Sequence, residues 1–168
     1  MSFVAVNVSS RLFARRELYQ QVAQVLHETG LAPACLELEV TESAVMDDPE
    51  VALEQMHRLR ELGVCLAIDD FGTGYSSLLR LKRLPVQKLK IDQGFVAGLP
   101  CDEDDSAIVR VIIALAQSMG MQVQAEGIEQ VEQAAFLLGH DCHLGQGYWF
   151  GRPVPVGELD WAHTPLIR

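Results

Sequence analysis

The chain has 168 residues, which at roughly 100–200 residues per domain indicates a single domain with an ordinary core. Hydrophobic residues make up 49% and charged residues 21%, which excludes a disordered tail or a coiled coil. The net charge of −10 repels nucleic acid, and no apolar run approaches the roughly 18 residues of a membrane span, so we expect a cytoplasmic protein without DNA binding or membrane insertion.

Strand and helix patterns alternate along the whole chain. Short apolar or β-branched runs predict six buried strands: Phe3–Val8, Leu36–Val40, Val64–Ile68, Lys88–Ile91, Gln122–Ala125 and Leu144–Phe150. Helical spacing occupies the stretches between them: Glu17–Thr29, Pro49–Leu62, Ser76–Leu84, Ser106–Met119 and Gln130–Leu138. This alternation predicts an α/β fold with a parallel sheet. Six strands are too few for an eight-stranded barrel, so the composition leaves open a doubly wound sheet or an incomplete barrel.

Glycine and proline mark the ends of several predicted helices. Gly30, Gly63, Gly120 and Gly139 each follow a helical stretch, where a left-handed C-terminal cap is expected. Asp48-Pro49 opens another helix with a capping side chain and a first-turn proline.

Polar residues lie near the carboxyl end of almost every predicted strand: Asn7, Glu39, Glu42, Asp69, Asp70, Glu126, Glu129 and Gln146. Each alone has an ordinary explanation as a helix cap or a solvated acid. Together they would meet at the rim where parallel α/β folds place their active sites. Because converging carboxylates repel one another, a bound cation is expected there. Oxygen ligands without histidine or cysteine favour Mg²⁺ or Mn²⁺.

Lys90 lies inside an apolar strand, where an unpaired ammonium would be costly to bury. Its partner is predicted to be Asp92 or a neighbouring acid in a structural ion pair. The alternative is that Lys90 holds or deprotonates a metal-bound water.

Two further segments carry chemical side chains. Asp69–Ser77 joins a strand to a helix and is predicted to be a mobile rim loop, with Ser76 or Ser77 as the helix cap. The cluster His140-Asp141-Cys142-His143 could bind a transition metal, but without a second set of ligands it is interpreted as a loop.

Five motifs occur in an order typical of one known family: Leu38-Glu39-Val40-Thr41-Glu42-Ser43, the Asp69–Ser77 loop, Leu89-Lys90-Ile91-Asp92, Ala125-Glu126-Gly127-Ile128-Glu129 and Gln146-Gly147-Tyr148. The chain resembles an EAL domain, the bacterial cyclic di-GMP phosphodiesterase, from Asn7 to Pro153. This resemblance implies a (β/α)₈ barrel of the TIM type.

The resemblance also implies a two-metal site. Asn7, Glu39 and Asp69 are implied to hold one Mg²⁺ or Mn²⁺, and Asp69, Asp70 and Glu126 to hold a second. A metal-activated water then opens cyclic di-GMP to linear pGpG.

The remaining roles follow from the same resemblance. Lys90 is implied to position or activate the water, and Glu42 to steady the Asp69–Ser77 loop. Glu129 is implied to support the catalytic site, and Gln146 and Asp70 to contact the substrate.

The resemblance departs from the family pattern at the N-terminus. Family members begin with two further strands, the second of which carries the Glu-Ala-Leu signature and a metal-binding glutamate. We therefore expect residues 1–168 to be the C-terminal two-thirds or so of a single EAL-type domain, with six of eight barrel strands.

Three functions are compatible with these features. The first is a cyclic di-GMP phosphodiesterase that is inactive or weak as this chain alone. The second is a non-catalytic cyclic di-GMP sensor or protein-interaction module. The third is an enolase-like barrel enzyme, which the adjacent acids Asp69-Asp70 and the lack of a second basic residue at a strand end argue against.

Two kinds of partner are expected besides cyclic di-GMP. Unpaired strand edges and the family resemblance predict a homodimer or larger oligomer, in which the loop after Asp70 takes part. Other signalling domains are expected in the parent protein.

Overall fold

The computed structural model describes residues 3–13, 15, 17–74 and 78–158, without the side chains of residues 46 and 47. Its strands are β1 Val4–Val8, β2 Leu36–Thr41, β3 Cys65–Phe71, β4 Lys88–Ile91, β5 Gln122–Ala125 and β6 Leu144–Gly145. Its helices are α1 Ser10–Phe13, α2 Leu18–Thr29, α3 Glu42–Asp47, α4 Pro49–Leu62, α5 Leu78–Leu81, α6 Gln93–Ala97, α7 Glu103–Ser118 and α8 Val131–Leu138, with short 3₁₀ turns at Pro33–Cys35 and Val156–Glu158.

The six strands form one parallel sheet in the order of the sequence, β1 to β6. This consecutive order is that of a barrel and not of a doubly wound sheet, whose strand order reverses at a switch point. The sheet is a half-barrel, which confirms the predicted incomplete α/β barrel. None of the described helices is long and apolar enough to cross a lipid bilayer.

Alternation along the strands separates an apolar face from a polar face. Leu38, Leu66, Ile68, Leu89 and Ile91 are buried and belong to one hydrophobic core with the helices. Helices α4 and α7 add their own buried residues to it, including Met56, Leu59, Val109 and Ile113. The alternate positions of β2, β4 and β5 carry charged or amide side chains, which therefore face the interior of the half-barrel.

Strand β1 lies at one edge of the sheet and is less covered than its neighbours. Its residues 4–7 are exposed, including Val4 at 54% and Val6 at 42%, whereas residues 36–40 of β2 are all buried. Among the described residues, β1 pairs only with β2. Apolar side chains are thus accessible at this edge.

Most predicted caps are confirmed, and one is wrong. Gly30, Gly63 and Gly120 have φ values of 68°, 97° and 70°, and the Asp48 side chain accepts from Val51 N. Gly139, in contrast, has a right-handed φ of −63°. The left-handed residue is instead Asp141, at φ 64°. The chain continues from α8 as a turn, which ends after Asp141, where Cys142 N donates to Leu137 O.

Two predicted elements are shorter than expected. Strand β6 ends at Gly145 and not at Phe150, because the chain turns across Ile128, where Gly147 packs so closely on the Ile128 backbone that no Cβ would fit. Helix α5 comprises Leu78–Leu81 in place of Ser76–Leu84. The predicted caps Ser76 and Ser77 lie outside the described residues. The short helices α1, α3 and α6 were not predicted, since few residues carry their periodicity.

Candidate active site

Lys90 on β4 lies at the centre of the polar rim and is 2% exposed. Its Nζ lies 2.6 Å from Glu39 Oε2, 3.0 Å from Asp69 Oδ1 and 2.5 Å from Glu126 Oε1. These carboxylates come from β2, β3 and the residue after β5. An ammonium has three N–H donors, and here each has its own carboxylate. The predicted anionic surroundings of Lys90 are therefore present.

The charge of Lys90 depends on these contacts. Burial alone would lower the pKa of the ammonium, but hydrogen bonds to Glu126, Glu39 and Asp69 outweigh it and raise the pKa above the ordinary value for lysine. Asp92, the other partner considered from the sequence, instead accepts from Gly94 N at 2.8 Å and caps α6. The ion pair thus forms with carboxylates distant in sequence.

A bulge in β3 brings two consecutive carboxylates to the same site. In a regular strand Asp69 and Asp70 would point to opposite faces of the sheet. Ile68 pairs with Leu89 and Phe71 pairs with Ile91, so two residues of β3 lie opposite the single residue Lys90. Asp70 has a left-handed φ of 54°, which aspartate tolerates better than most residues. This conformation turns Asp70 toward the rim.

Asp69, Asp70 and Glu126 offer carboxylate oxygens that lie within 4.8 Å of one another. Burial is the main cause that raises the pKa of Asp70, followed by repulsion from Asp69 and Asp92. Burial also raises the pKa of Glu126, despite its contact with Lys90. With Glu39, four carboxylates surround one ammonium, an excess of negative charge that a cation would neutralise. The donor set, all oxygen, fits a hard divalent cation.

Glu42 lies beneath the loop that follows β3. It is 4% exposed at the start of α3, and its Oε2 accepts from Gly72 N at 3.2 Å. A Cβ on Gly74 would lie 2.8 Å from Glu42 Oε1, so the loop backbone packs closely on the carboxylate. Among the described atoms, Glu42 Oε1 is buried without a hydrogen-bond partner. The next loop residues, 75–77, lie outside the described part of the chain.

The structure places three other predicted site residues at the rim with exposed side chains: Asn7, Glu129 and Gln146. Asn7 is in register with Glu39, and residues in register on parallel strands share a face of the sheet. Gln146 accepts through Oε1 from Gln124 Nε2 at 3.4 Å. Glu129 borders a cleft of about 290 Å³ next to Gln93 and donates its backbone N–H to Gln133.

A second buried layer was missed by the sequence analysis. Lys88 Nζ lies 2.7 Å from Glu37 and 3.1 Å from Gln124 Oε1, two residues before Lys90 along β4. All three side chains are buried. The same signal that singled out Lys90, a lysine in an apolar strand, also applied to Lys88.

The cluster from His140 to His143 shows no arrangement for a metal in the described residues. His140 Nδ1 contacts Phe136 O, and Cys142 is buried away from the exposed His143–Asp141 pair. Burial raises the pKa of the Cys142 thiol to about 11. The interpretation as a loop therefore agrees with the structure.

The fold is therefore a parallel half-barrel of the α/β class. The site at its rim combines buried carboxylates with a lysine. Residues 1–153 match the family model of the EAL domain. The chain belongs to the EAL domain family.

Individual relatives agree with this assignment. The cyclic di-GMP phosphodiesterase NbdA of Pseudomonas aeruginosa is 47% identical over 157 residues, which are 94% of this chain and 20% of NbdA. The solved complex of the MucR phosphodiesterase of that organism with c-di-GMP has a TM-score of 0.90 and 46% identity, covering 93% of this chain and 63% of that chain. Klebsiella pneumoniae BlrP1, solved with manganese and cyclic di-GMP, has a TM-score of 0.83 and 32% identity, covering 90% of this chain and 39% of that chain. The chain thus spans about a fifth of the length of NbdA.

Substitution Asp70→Asn should stabilise the chain in the absence of divalent ions. It removes the cost of burying a carboxylate and its repulsion with Asp69 and Asp92, which together outweigh the lost attraction to Lys90, while asparagine keeps the left-handed conformation. We expect a gain of about 0.5 kcal/mol in the free energy of unfolding, the size of one partly exposed charge pair. Urea unfolding in EDTA measures it.

Asp141→Asn is the matched control, because Asp141 is also left-handed but its side chain lies 3.9 Å from His143. It should leave stability unchanged. A loss of stability in Asp70→Asn with an unchanged control would show that Asp70 is not repelled at the rim.

Proposed function

We propose that this chain carries the catalytic rim of a cyclic di-GMP phosphodiesterase. The observation that supports it most is the Lys90 ammonium held among Glu39, Asp69 and Glu126, with Asp70 brought alongside by the β3 bulge. The names of NbdA and of the MucR complex supply the substrate class, cyclic di-GMP.

The acidic rim is proposed to hold two divalent cations, Mg²⁺ or Mn²⁺. Asp69, Asp70 and Glu126 would form one ligand set, which their mutual proximity supports. Asn7 and Glu39, in register on neighbouring strands, would form the other with Asp69. The manganese complex of BlrP1 provides independent support for a divalent ion in a relative.

Such ions supply a nucleophilic water at neutral pH and stabilise charge on the phosphodiester. Lys90 acts as an ammonium in this mechanism, because all three of its N–H donors are engaged by carboxylates. If one of these carboxylates served as a metal ligand, the Lys90 donor that faces it would be available to hold the attacking water. The oxygen of that water bonds to phosphorus and loses a proton to solvent, the P–O bond to one ribose 3′ oxygen breaks, that oxygen takes up a proton from solvent, and the product is linear pGpG.

The supporting residues have separate proposed tasks. Glu42 fixes the loop after β3 through Gly72 N, which keeps Asp69 and Asp70 in place. Glu129 supports the site from the neighbouring cleft, and Gln146 and Asp70 contact the substrate. None of these tasks requires the side chain to gain or lose a proton.

Two statements on the wider context complete the proposal. NbdA is about five times longer than the matched segment, so we propose that the parent protein carries further signalling domains. We also propose that it acts in the cytoplasm, where its cyclic dinucleotide substrate is expected.

Mn²⁺ should bind to the chain, and the substitution Asp69→Asn should weaken this binding strongly. Asp69 belongs to both proposed ligand sets, and an amide is a weaker, neutral ligand for a hard ion. We expect affinity to fall at least about tenfold by titration calorimetry, equivalent to about 1.4 kcal/mol. The control Asp104→Asn, an exposed acid on α7, should bind Mn²⁺ as the unsubstituted chain does. Equal binding by Asp69→Asn would refute the ligand assignment.

The chain should convert cyclic di-GMP to pGpG slowly in Mn²⁺, and Lys90→Met should abolish the reaction. We expect turnover to fall roughly 10²–10⁴-fold, since Lys90 holds the reacting water, while the dissociation constant changes by only a few fold. Chromatography of the nucleotides gives the rate, and calorimetry gives the affinity.

Exposed Lys82→Met is the control for the removal of a lysine, and a thermal melt establishes that each variant is folded. Retained turnover in folded Lys90→Met would return Lys90 to a purely structural ion pair. Binding of cyclic di-GMP by the longer parent protein without any product would favour the sensor hypothesis.

The chain is further proposed to form homodimers. Leu78 and Leu79 on α5 are 61% and 65% exposed and directly follow the loop after β3, which supports an interface there. Leu79→Glu should therefore convert dimer to monomer at micromolar concentration in light scattering after size exclusion. Val25→Glu on α2, where Val25 is 54% exposed, should stay dimeric. A monomeric unsubstituted chain would exclude the dimer.

A further inference from the structure

The buried layer below the rim connects to it through amide groups. Lys88 contacts both carboxylate oxygens of Glu37 at 2.7 Å and Gln124 Oε1 at 3.1 Å, and its ammonium lies 4.5 Å from the centroid of the Phe3 ring. Gln124 is 8% exposed, and its Nε2 donates to Gln146 Oε1 at 3.4 Å. A chain of polar contacts therefore runs from Glu37 to the exposed side chain of Gln146.

The chemistry of Lys88 fixes the direction of every hydrogen bond in this series of contacts. An ammonium can only donate, so the group of Gln124 that faces Lys88 must be its carbonyl oxygen. The amide nitrogen of Gln124 then faces Gln146, which must answer with its own oxygen. The remaining end of Gln146 is its Nε2, which donates to no other group in the described part of the chain.

We propose that Gln124, held by Lys88, is a positioning residue that presents the amide nitrogen of Gln146 to an acceptor oxygen of the bound cyclic dinucleotide. The inference rests on the proposed function for the identity of the ligand. It specifies which atom of the Gln146 amide faces the ligand, which the rim residues alone do not define. A glutamine without such support can offer either its oxygen or its nitrogen. Phosphodiester and guanine carbonyl oxygens are acceptors, so the fixed orientation favours such a ligand.

The substitution Gln124→Glu tests this orientation. A carboxylate still accepts from Lys88 but cannot donate, so Gln146 must turn its nitrogen inward and show its oxygen to the ligand. We expect the affinity for cyclic di-GMP to fall about tenfold, through the lost hydrogen bond and the opposition of two acceptors. Gln124→Leu leaves Gln146 free to adopt either orientation and should weaken binding only about threefold.

Calorimetric titration of the full chain with cyclic di-GMP in Ca²⁺, an ion present in a solved BlrP1 complex, measures these affinities. Each variant is repeated in the background of Gln146→Ala. If Gln124 acts through Gln146, both effects disappear there, whereas a general structural defect or repulsion by the new charge persists. Gln122→Glu, an exposed position on the same strand, adds the same charge and should bind as the unsubstituted chain does.

The outcomes separate the inference from the proposed function. No binding by the unsubstituted chain overturns the proposed ligand and this inference together. Binding by the unsubstituted chain, with equal affinity in both Gln124 variants, overturns the inference alone. Effects that persist without the Gln146 amide also overturn it. If Gln124→Glu does not fold, the question is decided by comparing the affinity of Gln124→Leu with that of the double variant Gln124→Leu, Gln146→Ala.

Discussion

The ammonium of Lys90 inside the half-barrel is the interaction on which the rest of the site depends. Burying one charge is costly, and it is tolerated here because carboxylates from β2, from β3 and from the residue after β5 surround it. These contacts join segments that are 51 residues apart in sequence for Glu39 and Lys90. The contacts of Lys90 therefore do two things at once. They align β2, β3, β4 and β5 at the rim, and they balance part of the negative charge of the site.

Strand alternation extends this arrangement below the rim. Positions two residues apart on a strand share a face, so Glu37, Lys88 and Gln124 repeat the arrangement of Glu39, Lys90 and Glu126 one layer deeper. The two layers differ in charge balance. The deeper layer pairs one acid with one lysine and ends in neutral amides, whereas the rim keeps an excess of carboxylates. The excess of negative charge at the rim therefore suits the binding of a cation, whereas the balanced layer beneath it suits the orientation of neighbouring side chains.

The sequence predicted the six strands, their parallel direction and the anionic surroundings of Lys90, because apolar runs and strand ends can be recognised locally. It could not choose the partner of Lys90, since the contact with Glu39 depends on the register between distant strands. The alternation rule also fails at Asp69 and Asp70, where only the bulge brings both carboxylates together. Gly139 was assigned the wrong conformation because a helix can end a turn later, at an aspartate. Lys88 was overlooked although its pattern matches that of Lys90.

The excess of carboxylates at the rim has a thermodynamic consequence for the folded chain. An ion that binds these oxygens together binds the folded state and not the separated segments of the unfolded one. Metal concentration would then act on the folding equilibrium by mass action, contributing about 2.7 kcal/mol at one hundred times the dissociation constant. Under that linkage, the apparent melting temperature of the chain reports the ionic composition of its solution as well as its sequence.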